Sequence, residues 1–184
     1  MPAIDFLLKQ QGASQRDLQA LFVALGPGSF SGLRVGLSTA KGLAFSLGAP
    51  VVGVGTLEIE AFPFSGLGLL VQALLDAGRN ELAAALFAPG EEGLQLLDGP
   101  RIASLQDIIR CTKARTLFCG EALPQVRDQL RSSLGELAVI PPQAALKRRV
   151  AALAELGWRS LQRVGAQNMA ALQPVYLRRP SITM

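Results

Sequence analysis

The chain has 184 residues, 49% of them hydrophobic and 17% charged, which suits one ordinary domain or two small lobes with real cores and excludes a disordered chain. It contains no histidine, which excludes Ser-His and Cys-His catalysis and any zinc site using imidazole. Charge is unevenly placed: residues 1–100 hold five Lys/Arg against nine Asp/Glu, a balance of −4, and residues 101–184 hold thirteen against five, a balance of +8.

No apolar run reaches the length needed to cross a bilayer. Met1-Pro2-Ala3-Ile4-Asp5 carries no basic n-region, so no signal peptide and a cytoplasmic location are expected. Cys111 and Cys119 have no metal-ligand companions and read as reduced, buried thiols.

Residues 2–11 predict a helix, with Pro2 in the first turn and Ile4, Leu7, Leu8 and Gln11 at helical spacing before Gly12 ends it. Residues 20–25, ALFVAL, predict a buried strand, parallel to its neighbours. After a glycine turn, residues 31–47 predict a helix with Leu33, Leu37, Ala40, Ala44 and Leu47 as its buried stripe; Gly48 and Pro50 stop it. Residues 51–54 predict a second buried strand, and Thr56 is expected to cap a short helix through Ala61, with Glu58 and Glu60 near its positive end.

Residues 62–68, FPFSGLG, look like a linker between an N-terminal lobe, 1–62, and a C-terminal lobe, 66–184. Strands are predicted over 69–75 and 82–87, with a third starting at 94–97, forming an antiparallel meander. Ser104 is expected to cap a helix through Arg110. A strand over 116–119, a helix over 124–134, a strand over 137–140 and a long helix over 143–164, bent near Gly157, complete the pattern. The second half therefore reads βββαβαβα and the first αβαβα. Without the opening meander the two orders match, which makes an internal structural repeat. The order βββαβαβα is that of the ribonuclease-H-like lobe, and two such lobes form the actin/Hsp70/sugar-kinase (ASKHA) architecture, here with the first lobe lacking its three opening strands.

Gly26, Pro27, Gly28, Ser29 and Phe30 follow a strand and precede a helix, where backbone N–H groups and the helix dipole can hold an anion. Neither phosphate pattern is met: no lysine follows Gly32, and Ser31 stands where a dinucleotide motif needs its third glycine. Arg34 could supply charge to a phosphate. Gly32, Gly36 and Ala40 recur every fourth residue beside Leu33 and Leu37. Each glycine inside a helix costs roughly 1 kcal/mol relative to alanine, so close approach of another backbone, within the lobe or across a subunit interface, is expected to offset it.

The run GPGSFSGLRVGLSTAKGLA followed by PVVGVGTLEIEA resembles the TsaB (YeaZ) family of tRNA threonylcarbamoyladenosine biosynthesis proteins. The family's G-P-G-S-F-T-G-L-R-I-G differs here at Ser31 and Val35. Asp76-Ala77-Gly78-Arg79-Asn80-Glu81 is similar to its D-A-R-x-x-E hairpin, and Gln173-Pro174-Val175-Tyr176-Leu177-Arg178 to its P-x-Y-L-R tail. The resemblance implies a non-catalytic paralogue of the catalytic subunit TsaD. It pairs with TsaD through two N-lobe helices and is joined by the ATPase TsaE, to modify adenosine in tRNAs reading ANN codons. By this likeness residues 2–11 and 31–47 carry the partner interface, namely Ile4, Leu7, Leu8, Gly32, Leu33, Gly36, Leu37 and Ala40. It implies no cofactor of the chain's own and leaves a nucleotide at the subunit interface open. Family members begin with a strand bearing A-I-D-T-S, and this sequence starts at the first helix. The absent hairpin is the one that contacts ATP phosphates in the superfamily, which argues against nucleotide hydrolysis. It also exposes a sheet edge that a homodimer could cover.

Two other functions remain open on sequence. One is direct tRNA binding through Lys147-Arg148-Arg149, Arg159 with Arg163, and Arg178-Arg179. The other is a nucleotide-dependent phosphotransferase or a peptidase. For the latter, Asp5, Asp17 and Asp76 lie in unconnected elements, and Asp76 reads as a turn residue.

Overall fold

A computed structural model describes residues 2–91, 93–142 and 149–178. Helix α1 (Pro2–Gln10) stops where Gly12 turns to φ +64°. Strand β1 (Leu21–Gly26), helix α2 (Phe30–Leu47) and strand β2 (Val51–Gly55) form a β-α-β unit whose strands pair in parallel. Gly48 closes α2 in the left-handed region, at φ 62°, where a side chain would strain the backbone. Helix α3 (Thr56–Ala61) follows directly. Thr56 is its first helical residue and the N-cap is Gly55, with no side-chain cap; the expected threonine cap is not formed.

The stretch read as a linker is a 3₁₀ helix, Phe62–Leu67, and Phe64 within it is buried. Its side chain joins the core of the second sheet, so this connection is packed structure. Strands β3 (Leu70–Asp76), β4 (Leu82–Gly90) and β5 (Gly93–Ala103) make the antiparallel meander. Helix α4 (Leu105–Cys111) starts at Ser104, whose hydroxyl accepts from the Asp107 N–H. Strand β6 (Thr116–Cys119), helix α5 (Leu123–Leu134) and strand β7 (Ala138–Val139) complete a five-stranded sheet of order β5-β4-β3-β6-β7. β6 pairs in parallel with both β3 and β7. The same parallel β-α-β unit thus occurs in both sheets.

Helix α6 (Arg149–Val164) follows the second sheet in the chain but packs on the first. Side chains alternate across β1. Leu21, Val23 and Leu25 face α2, whereas Phe22 and Ala24 face Ala152, Leu153 and Leu156 of α6. Helix α6 runs without a break through Gly157. A Cβ on Gly157 would lie 2.4 Å from Phe22 Cγ, so this glycine serves close packing on β1 and not a bend. The expected beginning of this helix at 143–148 lies outside the described residues. Among the described residues no helix is long and apolar enough to cross a membrane.

Candidate functional site

Three stretches far apart in sequence meet at one cleft of about 1030 Å³: the turn at residues 27–30, the β3–β4 hairpin at 76–79, and the tail at 175–178. The glycine turn is built by close approach. Gly26 has φ +109°, and a Cβ there would meet Leu33 Cδ1 and the Val175 carbonyl oxygen, each at 2.8 Å. Only glycine tolerates both constraints. Pro27 is buried, while Gly28, Ser29 and Phe30 are exposed. The start of α2 is capped from within: the Gly32 N–H donates to Ser29 Oγ at 3.4 Å, and the Leu33 N–H to the Ser29 carbonyl at 2.8 Å.

Arg34 faces the tail. Its Nε donates to the Tyr176 hydroxyl at 3.1 Å, and its guanidinium stacks 4.0 Å above the Phe30 ring. Phe30 and Tyr176 rings lie 5.1 Å apart. The arginine considered for phosphate binding is thus engaged with the Phe30 ring and the Tyr176 hydroxyl. Asp76 accepts from the Gly78 N–H at 2.7 Å, which makes it the turn residue its sequence suggested. Asp5 accepts from Gln15 and Asp17 from Ser14, so the three aspartates stay apart in local roles.

The floor of the cleft holds a charge cluster that sequence reading missed. Glu60, its side chain 2% exposed, meets Arg149 Nε at 2.5 Å, and Arg149 reaches Glu121 at 3.3 Å. Burial pushes the Glu60 carboxyl up to about 7, against the pull of Arg149 and with a further push from Glu121. In sequence Glu60 is a helix-end carboxylate and Arg149 part of a basic run. Only the return of α6 to the first sheet brings them together, and no local signal announces that. Cys119 is buried beside this cluster, and its thiol is driven well above its usual range by burial and by Glu60. Cys111 is exposed, contrary to the expectation of two buried thiols. Among the described residues no cluster of three or more His, Cys, Asp or Glu could hold a metal.

The helices proposed for docking present a different surface from the one read in sequence. Leu37 and Ala40 are buried in the chain's own core, and Leu33 is half-buried. Gly32 and Gly36 are exposed at its flank. A Cβ on Gly32 would touch only Ser29, and one on Gly36 would meet nothing within 4 Å. Intramolecular packing therefore does not account for Gly36. The outermost stripe of α2 is Val35, Ser38, Gly42 and Phe45, with Val35 67% and Phe45 83% exposed. Helix α1 has no buried residue: Ile4 and Leu8 are half-buried, while Phe6 and Leu7 lie open to solvent.

The family pattern described as TsaD: tRNA N6-adenosine threonylcarbamoyltransferase matches residues 1–183. The Bacillus subtilis tRNA threonylcarbamoyladenosine biosynthesis protein TsaB is 30% identical over 181 residues, which span 97% of this chain and 77% of that protein. The chain belongs to this family, on its TsaB (YeaZ) branch. Escherichia coli TsaB is 35% identical over 97 residues, 51% of this chain and 42% of that one. The solved structure of YeaZ from Pseudomonas aeruginosa superposes with a TM-score of 0.71 at 22% identity, over 95% of this chain and 82% of that one. A second structure, of a protein with similarity to peptidase YeaZ from Pseudomonas aeruginosa, gives 0.73 at 22% identity, over 96% and 82%. These two share the fold. Because the family match runs over nearly the whole chain, the glycine turn, the hairpin and the tail of this TsaB-family protein all fall within it.

Proposed function

We propose that this chain is a non-catalytic partner subunit in threonylcarbamoylation of adenosine in tRNAs reading ANN codons. It docks through the outer face of α2, together with α1, onto a TsaD-type subunit, with a TsaE-type ATPase joining the pair. The observation that carries this reading is the stripe Val35, Ser38, Gly42 and Phe45: apolar or small, solvent-facing, on a helix whose opposite face is already buried. Large exposed apolar side chains clustered with glycines suit close helix packing better than they suit solvent. The two sheets, each with a parallel β-α-β unit, support a two-lobed ASKHA arrangement. The place for a nucleotide is the subunit interface, since the chain's own glycine turn is capped by Ser29 and its arginine is engaged with Tyr176.

The direct tRNA-binding reading is less well supported. Arg149 pairs with Glu60 and Glu121, Arg159 with Glu155, and Arg178 with Glu81, which offsets the positive charge of the C-terminal half. Lys147, Arg148 and Arg179 lie outside the described residues.

Titration calorimetry with the TsaD homologue of the same organism tests the docking face. Truncating a central aromatic anchor typically costs about 2 kcal/mol or more, so Phe45→Ala is expected to weaken binding at least about tenfold. Undiminished affinity in Phe45→Ala and Val35→Asp alike would place the interface elsewhere.

A further inference from the structure

We infer that residues 175–178 form a strap across the cleft that fixes the glycine turn and the start of α2, with Tyr176 as a positioning residue for the α2 docking face. The role at the docking face rests on the partner-subunit reading above; the strap itself does not.

Consecutive tail residues tie down different parts of the fold. The Val175 N–H donates to the Leu25 carbonyl at 2.7 Å, at the end of β1. Tyr176 accepts from Arg34 and lies against Phe30, both in the first turns of α2. Leu177 packs on the core of the five-stranded sheet. Arg178 pairs with Glu81 and donates to the Ala77 carbonyl at 3.4 Å, on the β3–β4 hairpin. The tail thus links the two sheets from opposite walls of the cleft. Residues 173–176 belong to no strand or helix, so these contacts must outweigh the entropy lost in ordering them.

The geometry also explains why Phe30 and Arg34 matter at this turn. Arg34 lies between the Phe30 face and the Tyr176 hydroxyl, so the three side chains lock as a unit. Val35, the next residue, faces outward on the docking stripe. Release of Tyr176 frees the first two turns of α2 and with them the end of the docking face.

Hydrogen–deuterium exchange on the full chain, read at amides 28–36, tests the strap, and calorimetry with the TsaD homologue tests its consequence. Tyr176→Ala is expected to raise exchange there about tenfold and to weaken docking by about as much, the scale of one charged hydrogen bond. Tyr176→Phe keeps the ring contact, loses the acceptor, and is expected to fall between. Arg178→Gln should instead raise exchange at amides 77–81. Wild-type exchange at 28–36 in both Tyr176 variants overturns the strap. Raised exchange with unchanged affinity overturns the positioning role. If Tyr176→Ala raises exchange throughout the sheets, Tyr176→Phe alone decides. If the wild-type chain does not bind the TsaD homologue, the docking reading and the positioning role fall together, and the exchange data still decide the strap.

Discussion

Gly42 lies in the interior of α2, exposed, and a Cβ added there would meet nothing within 4 Å. In the free chain nothing in the structure repays the helical cost of this glycine. Gly42→Ala is therefore expected to stabilise the isolated protein by about 0.8–1 kcal/mol. For a chain of this size that raises the melting temperature by about 2–4 °C, and the urea midpoint rises with an unchanged m-value. In the complex the sign reverses. A methyl group placed where two helices approach closely costs about 1–3 kcal/mol, so affinity for the TsaD homologue should fall by about tenfold. Gly36→Ala is the companion: it is equally uncontacted but sits on the flank of the stripe, so it should stabilise the free chain similarly and weaken docking less. A lower melting temperature for free Gly42→Ala would refute the exposed placement of this face. Stabilisation with full affinity would refute the idea that a partner's approach keeps the glycine.

The same substitution at Gly157 should act in the opposite direction. With Phe22 Cγ 2.4 Å from the new Cβ, overpacking exceeds the helical gain, and a net loss of about 1–2 kcal/mol is expected in urea titration; a stabilised Gly157→Ala would disprove the α6–β1 contact. Glu60 makes stability depend on pH. Its folded carboxyl titrates at about 7 against an ordinary 4.5, so the folded state holds that proton more tightly than the unfolded one. The resulting stabilisation, about 3 kcal/mol, is complete below pH 4.5 and lost as pH rises through 7. Glu60→Gln should remove this slope, and equal slopes in both proteins would contradict the burial of Glu60. Finally, filter binding of tRNA should show a log K–log salt slope shallower than about −2, since Arg149, Arg159 and Arg178 of the basic half already have carboxylate partners; a slope of about −5 or steeper would favour an RNA surface.

Local patterning made much of the fold legible. The αL glycine after α2, the Ser104 cap and the run of β6 are short-range signals, and α2, α4 and β6 lie within a residue or two of their predicted places, whereas β4 and β5 run on to Gly90 and Ala103, well past their expected ends. Errors arose where distant chain decides. Phe62–Leu67 has linker composition, yet Phe64 is drawn into the second core. Thr56 looked like a cap because nothing local shows that β2 runs directly into α3. The glycine turn was visible as a motif, but its neighbours in space, the hairpin and the tail, were recognisable only as separate pieces of a family resemblance. The Glu60–Arg149–Glu121 cluster depends on α6 crossing back to the first sheet, a tertiary event without a sequence period. On α2, helical spacing identified the buried stripe. The outward face, which carries Val35 and Phe45, is simply what that burial leaves uncovered.

The central claim is that α2 and α1 form a surface for a TsaD-type subunit. Size-exclusion chromatography with light scattering, run on the chain alone and with the TsaD homologue of the same organism, tests it most directly. A one-to-one complex that forms less completely with Phe45→Ala at the same concentration is the predicted result. A chain that keeps its own mass and elution position whether or not the homologue is present would contradict the account.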